Sequence, residues 1–146
     1  MTNESTTSST VLRRTLLIDA AASGGMGVLL LLAADPLERL LGLPASLLRG
    51  VALVLVPFAG FVAWVGMRER LSRGAVGTIV GANVAWVVGS VLLLLSGLVS
   101  PTLLGELFVV LQAAVVAGLA YVEYGALRHG RWSRHGVAAA GEGRGR

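Results

Sequence analysis

The chain has 146 residues, of which 55% are hydrophobic and 14% are charged, and its mean hydropathy is +0.78. Soluble domains carry about 25% charged residues, so this chain has too few polar side chains to cover a water-facing surface. Composition therefore excludes an ordinary soluble domain and predicts a membrane protein. There is no cysteine, which excludes disulfides, thiolate metal sites and CxxC redox chemistry.

Four apolar runs organise the chain. Residues 1–11 are polar without an apolar stripe, which predicts a disordered tail. The runs follow at about 15–34, 50–67, 75–98 and 103–122. Each is long enough to cross a roughly 30 Å hydrocarbon core as a helix, and a helix pairs its backbone polar groups internally. We therefore expect an all-α, polytopic four-helix transmembrane domain over 12–128, followed by a basic, flexible tail over 129–146.

The arginines predict the orientation. All twelve basic residues are arginine, and ten of them flank the start of the first run, the connection between the second and third runs, and the end of the fourth. Only Arg39 and Arg49 lie on the other side. By the positive-inside rule both termini are expected to be cytoplasmic. The Arg-only, Leu-, Ala-, Val- and Gly-rich composition favours a GC-rich bacterial genome, and so a bacterial inner membrane.

A cleaved signal peptide is an alternative for the first run, because Arg13 and Arg14 precede an apolar stretch that ends in small residues. The run is longer than the usual 7–15-residue hydrophobic region, and it contains Asp19. These two features favour an uncleaved first span.

The connections also carry structural signals. Asp35 is placed to cap a short helix over 36–42, with Glu38 completing a capping-box pattern and Gly42 as a C-terminal stop. The leucines of this helix share one face, which favours either an interfacial helix in the outer leaflet or a lid packed on the bundle. Between the third and fourth runs, Val99–Thr102 predicts a tight hairpin and antiparallel neighbouring spans.

Small residues predict close helix packing, because dispersion and close backbone approach drive helix association in lipid. In the third run these residues are Gly77, Gly81, Ala85 and Gly89. In the first run they are Gly24 and Gly27. The stripe in the third run fits packing within one bundle or, alternatively, a homodimer interface. Pro57, midway along the second run, is expected to kink its helix.

Several polar residues lie inside the apolar runs, where an unpaired polar group is costly. At about 1.5 Å per residue, Asn83 and Gln112 are both expected near the bilayer midplane, which predicts a hydrogen bond between them. Asp19 and Glu123 are expected closer to the cytoplasmic side, within reach of its arginines.

Three interpretations of these residues are open. In the first, they are structural and pair with one another, with the backbone or with the arginines. In the second, Asn83 and Gln112 line a pocket for a hydrophobic ligand such as a lipid or quinone, with Trp86 one turn beyond Asn83 and Trp64 facing in from the second run. In the third, Asp19 and Glu123 are protonatable groups of a small ion- or proton-coupled transporter.

Enzyme chemistry has little support in the sequence. The motifs of zinc proteases, serine hydrolases, P-loop proteins and dinucleotide-binding folds do not occur, and both histidines, His129 and His135, belong to the C-terminal tail. We therefore predict no catalytic residue, no metal site and no cofactor. The expected partners are the lipid bilayer and either a membrane protein or a second copy of the chain, without nucleic acid.

The opening stretch LRRTLLIDAAASGGMGVLL, followed by a second span with Pro and Trp, resembles the small four-helix bacterial inner-membrane proteins grouped as DoxX-like. The resemblance covers the layout of residues 12–127 and carries over no functional residue. It implies a non-enzymatic accessory or scaffold subunit beside membrane redox or secretion systems.

Overall fold

The computed structural model describes residues 3–68 and 71–129, with side chains from Thr10 to Arg128 in these ranges. Five helices follow one another: α1 (Asn3–Leu32), α2 (Ala34–Leu41), α3 (Ala45–Met67), α4 (Arg73–Leu95) and α5 (Leu103–His129). All helices except α2 are long and apolar enough to cross a membrane. The predicted all-α fold with four spans, and a short helix between the first two, is therefore confirmed.

Most helices extend beyond the apolar runs that predict them. α3 begins at Ala45, and α5 continues to His129. α1 begins at Asn3, so residues 3–11 are helical where composition predicts a disordered tail. An established helix gains one backbone hydrogen bond for each residue added, so it continues through polar residues that would not start a helix themselves. The rest of the predicted C-terminal tail, from residue 130, lies outside the described residues.

The spans pack as two pairs. α1 lies along α3 and α4 lies along α5, whereas α3 and α4 touch only briefly. The α4–α5 pair confirms the predicted neighbours. Glycines bring α1 and α3 together. A Cβ on Gly27 would lie 3.0 Å from Val56 Cγ2, and one on Gly24 would lie 3.3 Å from Ala59 Cβ. α3 itself continues through Pro57, which has no N–H to donate to the carbonyl of Leu53.

The small-residue stripe of α4 faces away from the other spans. Gly77, Gly81, Ala85 and Gly89 are all exposed. A Cβ built on any of the three glycines meets nothing within 4 Å in the described part of the chain. The stripe therefore does not pack within the bundle, and the homodimer interface stays a prediction.

α2 and the α4–α5 connection lie together at one end of the bundle, which we call the α2 end. The start of α1 and the end of α5 lie at the opposite end, which we call the terminal end. Thr102 joins the two segments, since its N–H donates to the Leu41 carbonyl at 2.9 Å and its Oγ1 donates to the Leu40 carbonyl at 2.8 Å. Leu41 is buried, and a Cβ on Gly105 would collide with its carbonyl oxygen. α2 is thus packed on the bundle as a lid.

The C-terminal stop of α2 is as predicted, but its N-terminal cap is not. Gly42 adopts φ +67° and donates its N–H to the Glu38 carbonyl, the left-handed arrangement that glycine permits. At the other end the helix begins two residues earlier than predicted, with Ala33 as N-cap and no side-chain cap. Asp35 therefore lies in the first turn, where it accepts a hydrogen bond of 2.7 Å from Arg49 Nη2.

Two apolar clusters form the core, at different levels of the bundle. The cluster at the α2 end centres on Leu30, Leu48 and Leu55. The cluster at the terminal end centres on Leu16, Val62 and Ile79. Buried polar side chains occupy the level between the two clusters.

Candidate functional site

Four polar side chains from three spans meet between the apolar clusters, and we call them the carboxylate cluster: Asp19 and Ser23 of α1, Asn83 of α4 and Glu123 of α5. Asn83 Nδ2 donates to Asp19 Oδ2 at 3.0 Å and to Glu123 Oε2 at 3.3 Å. Ser23 Oγ donates to Asp19 Oδ1 at 3.1 Å. Asp19 and Glu123 are both 0% exposed. One amide group therefore connects α1, α4 and α5 inside the bundle.

Helix geometry explains why these side chains meet. Asp19 and Ser23 are four residues apart and share one face of α1. Asp19 and Asn83 lie nearly the same number of residues before the ends of their parallel helices, at Leu32 and Leu95. Helical side chains lean toward the N-terminus of their own helix. Because α5 runs antiparallel to α4, Glu123 leans toward Asn83 from the terminal end.

The cluster has more acceptors than donors. Asn83 has two amide N–H groups, and Ser23 has one O–H. Three of the four carboxylate oxygens accept one of these hydrogen bonds, whereas Glu123 Oε1 is buried without a partner among the described residues. Two carboxylates this close in a low-dielectric interior repel each other strongly if both are ionised. The cluster therefore needs a proton or a cation to balance its charge.

A cavity of about 330 Å³ lies beside the cluster, between α1, α3, α4 and α5. Asp19, Ser23 and Asn83 form the polar part of its wall, and Gln112 and Trp86 lie farther along it. The remaining wall is apolar: Ala22, Met26, Val54, Leu55, Phe58, Ala82, Phe108, Leu111, Val115, Val116 and Leu119. Its volume is within the range of small-molecule sites, and an apolar wall with a few polar groups is their usual composition. We call it the central cavity.

The structure brings most of the candidate residues together. Asp19, Asn83, Trp86 and Gln112 all line the central cavity, whereas Glu123 lies behind the wall and accepts a hydrogen bond from Asn83. The indole Nε1 of Trp86 is buried and has no hydrogen-bond partner within the described residues.

Trp64 is the exception, because it lies outside the cavity wall. It is 50% exposed, its ring stacks on Phe61 with centroids 6.3 Å apart, and the Arg68 guanidinium lies 3.9 Å from its ring centroid. The face of α3 that lines the cavity carries Val54 and Phe58 instead. Trp64 is six residues beyond Phe58, and six residues at 3.6 per turn lead to a different face of the helix.

The expected hydrogen bond between Asn83 and Gln112 is wrong, since both N–H groups of Asn83 are directed to the carboxylates. The estimate counts ten residues from Arg73 to Asn83 and ten from Thr102 to Gln112. The two counts start at opposite ends of the bundle and are assumed to reach the same level. α5 is longer than α4, at 27 against 23 residues, and a seven-residue segment, 96–102, joins them. Equal counts therefore do not give equal depths.

Asp19 and Glu123 are expected to pair with arginines, but in the structure both accept a hydrogen bond from Asn83. The depth estimate starts from Arg14, which lies well inside α1 rather than at its end. Asp19 is consequently as deep in the bundle as Asn83, beyond the region where the arginines of the terminal end lie.

Sequence reasoning missed three contributors. Ser23 is not among the predicted site residues, although its spacing of four residues from Asp19 is a usable signal for a hydrogen bond. Phe108 lies one turn before Gln112 on the same face of α5, so it follows from Gln112 once that residue is placed on the cavity wall. Phe58 has no such polar neighbour, and nothing in the sequence separates it from the other apolar residues of α3.

Within the described residues there is no group of three or more His, Cys, Asp or Glu side chains placed to hold a metal ion. No protein-family model, no curated protein and no solved structure matches the chain. The DoxX-like resemblance therefore stays a prediction, and function has to follow from the geometry of the cavity.

Proposed function

We propose that the protein is a small, non-enzymatic membrane protein that binds a largely apolar, lipid-soluble molecule in the central cavity. The cavity itself is the observation that supports this function: about 330 Å³ between all four spans, with an apolar wall and a few polar groups on one part of it. Such a site selects for molecules that reach it from the bilayer, because four apolar spans surround it. An accessory subunit that holds a lipid or quinone has this arrangement.

The setting we propose is a bacterial inner membrane with both termini on the cytoplasmic side. In the sequence, ten of the twelve arginines cluster near the start of α1, the α3–α4 connection and the end of α5, and the positive-inside rule assigns that end of the bundle to the cytoplasm. Reporter fusions to the C-terminus test this orientation. A reporter that is active only outside the cytoplasm should be silent there, and an active one would reverse the topology.

Ligand binding is testable with the fluorescence of Trp86. The chain has three tryptophans, and in the variant Trp64→Phe/Trp132→Phe only Trp86, on the cavity wall, remains. Pentylbenzene, titrated into this variant in nanodiscs, is expected to change the emission of Trp86 saturably. Ala82→Leu places a larger side chain on the cavity wall and should weaken the response.

Ala114→Leu is the matched control, because Ala114 is exposed on α5 and is not part of the cavity wall. It should leave the binding curve unchanged. A response that rises linearly with lipid-phase concentration, and is the same in Ala82→Leu and Ala114→Leu, would show partitioning into the bilayer and reject the cavity as a binding site.

The carboxylate cluster supports a second candidate, a small ion- or proton-coupled transporter that uses Asp19 and Glu123. Buried acidic residues within membrane spans often mark ion or proton pathways, and these two lie next to the cavity. Flux through proteoliposomes of the parent chain that disappears in Asp19→Asn and Glu123→Gln, with thermal stability retained, would favour transport. A parent chain without flux would exclude it.

A further inference from the structure

We infer that the central cavity selects lipophilic cations with an ammonium head, and that the carboxylate cluster recognises that head. The inference rests on the proposed function, since it names the ligand class of the same cavity. The buried carboxylate oxygens of Asp19 and Glu123, rather than the volume of the cavity, support this ligand class.

The carboxylate cluster has free hydrogen-bond acceptors but no free donor. The cluster offers carboxylate oxygens whose further lone pairs have no donor, and Glu123 Oε1 is buried with no hydrogen bond at all among the described residues. The donors present, on Asn83 and Ser23, are already used by the cluster. A head group that only accepts hydrogen bonds, such as a quinone carbonyl, therefore finds no free donor in the cluster. The free indole N–H on the cavity wall, that of Trp86, lies about one helical turn from Asn83. An ammonium brings three N–H donors, which is what the cluster lacks.

The ionisable groups at and behind the cavity wall are acidic. In the part of the chain that the structure describes, the cavity wall contains no arginine or histidine, and its one ionisable residue is Asp19. Glu123 adds a second carboxyl group through Asn83. Opposite charges attract far more strongly inside a protein than in water, and the free lone pairs of the carboxylates let hydrogen bonds to an ammonium offset the cost of removing it from water. A cation in the cavity is therefore favoured over a neutral molecule of the same shape.

The apolar part of the cavity wall fits the body of such a ligand. Beyond the polar part, the wall is apolar and includes three aromatic side chains, Phe58, Trp86 and Phe108. Apolar walls accept a hydrocarbon or aromatic body, and aromatic faces also attract cations. A compact aromatic group on a short alkyl chain that ends in an ammonium satisfies both parts of the wall.

Phenylbutylammonium and pentylbenzene separate these contributions, because they differ only in the exchange of an ammonium for a methyl group. Both are titrated into the Trp64→Phe/Trp132→Phe chain in zwitterionic nanodiscs, with partitioning measured in empty nanodiscs. Relative to its lipid-phase concentration, the ammonium is expected to bind at least about tenfold more tightly, a difference of roughly 1.4 kcal/mol. Asp19→Asn and Glu123→Gln should each remove most of this preference, because binding of the ammonium should fall far more than binding of pentylbenzene.

Glu106→Gln is the matched control: the same substitution on the same helix, at an exposed position in the first turn of α5. It should preserve the preference for the ammonium. Retained pentylbenzene binding shows that each variant is folded. If either carboxyl variant fails to fold, Ser23→Ala, which removes one hydrogen bond to Asp19, is expected to alter the preference by a smaller factor in a folded chain.

The outcomes separate this inference from the proposed function. Equal binding of the two probes by the parent chain overturns cation selectivity and leaves the apolar ligand site in place. A preference that survives in Asp19→Asn/Glu123→Gln overturns the assignment to the carboxylate cluster. Failure of both probes to bind rejects the cavity as a ligand site, and the inference with it.

Discussion

Asn83 on α4 donates a hydrogen bond of 3.0 Å to Asp19 on α1, although the two residues are 64 positions apart in the chain. The same nitrogen donates to Glu123 on α5 at 3.3 Å. Because α1 packs mainly on α3, and α4 mainly on α5, this amide links the two helix pairs at the level of the central cavity.

Replacing Asn83 with leucine should destabilise the bundle strongly. The change removes donors from two buried carboxyl groups, and each buried polar group left without a partner costs about 1–3 kcal/mol. The free energy of unfolding, measured by titrating SDS into mixed micelles with circular dichroism as readout, should fall by about 2 kcal/mol or more.

Gln112→Leu is the control for this change. Gln112 lines the same cavity, and its side chain forms no hydrogen bond with any described residue. Its expected loss of stability is small. If Gln112→Leu destabilised the protein as much as Asn83→Leu, the cluster would not be the link between the pairs.

Gly27→Ala should weaken the packing of α1 on α3. The new Cβ would lie 3.0 Å from Val56 Cγ2 and 3.2 Å from Leu55 Cβ, closer than side chains normally approach. Overpacking of this kind costs about 1–3 kcal/mol. The neighbouring change Gly25→Ala meets nothing within 4 Å, so it should leave the melting temperature in detergent unchanged or slightly raised. Equal destabilisation by the two changes would contradict the packing of α1 against α3.

Gly105→Ala should separate the α2 lid from α5, because the new Cβ would collide with the carbonyl oxygen of Leu41. Backbone atoms cannot move aside as a flexible side chain does, so the expected cost is at least about 2 kcal/mol. Hydrogen exchange of the α2 amides should accelerate in this variant. On the same helix, Gly118→Ala has open space around the new Cβ, and α2 exchange should match that of the parent chain.

The two described tryptophans should differ in their effect on ligand binding. Trp86→Phe removes indole surface from the cavity wall, so it should weaken the binding of radiolabelled pentylbenzene several-fold. Trp64→Phe changes a ring that stacks on Phe61 and contacts Arg68 outside the cavity, so binding should be unaffected. Loss of binding in Trp64→Phe alone would place the ligand elsewhere.

The outward-facing stripe of α4 leads to a prediction about self-association. Gly81→Leu should reduce energy transfer between labelled copies in liposomes, because small residues let two helices approach closely in lipid. The monomer should stay as stable as before, since a Cβ at this position meets nothing within 4 Å. Gly118→Leu, on the equally open face of α5, is the comparison. The prediction is wrong if both variants behave alike or the parent chain is monomeric.

The sequence predicts the fold well because membrane spans depend on run length and hydropathy, which are local properties. The number of spans and the stop at Gly42 follow from these properties directly. Helix ends such as Asn3 and His129 do not, since a helix that is stabilised by its apolar part also extends through polar residues. The cap of α2 is mispredicted because Asp35 has a competing partner, Arg49, that is distant in sequence.

The sequence predicts which polar residues belong to the site, but it does not predict which of them form hydrogen bonds with each other. Asp19, Asn83 and Glu123 stand out because polar residues are rare in such spans. Which of them touch depends on relative depth, and one turn of error in a helix end moves a side chain by about 5.4 Å, more than the length of a hydrogen bond. Gln112 is thus placed on the correct cavity but given the wrong partner.

The hydrogen bond between Asp19 and Asn83 has a consequence for biogenesis. The ribosome makes α1 first, and α2 and α3 follow before the partner on α4 exists. An aspartate at the centre of an inserting helix is unfavourable by about 2.5–3.5 kcal/mol on the insertion scale. The first helix is therefore held least firmly in the bilayer while the middle of the chain is being synthesised. Its insertion is complete only when α4 supplies Asn83, the hydrogen-bond partner of Asp19.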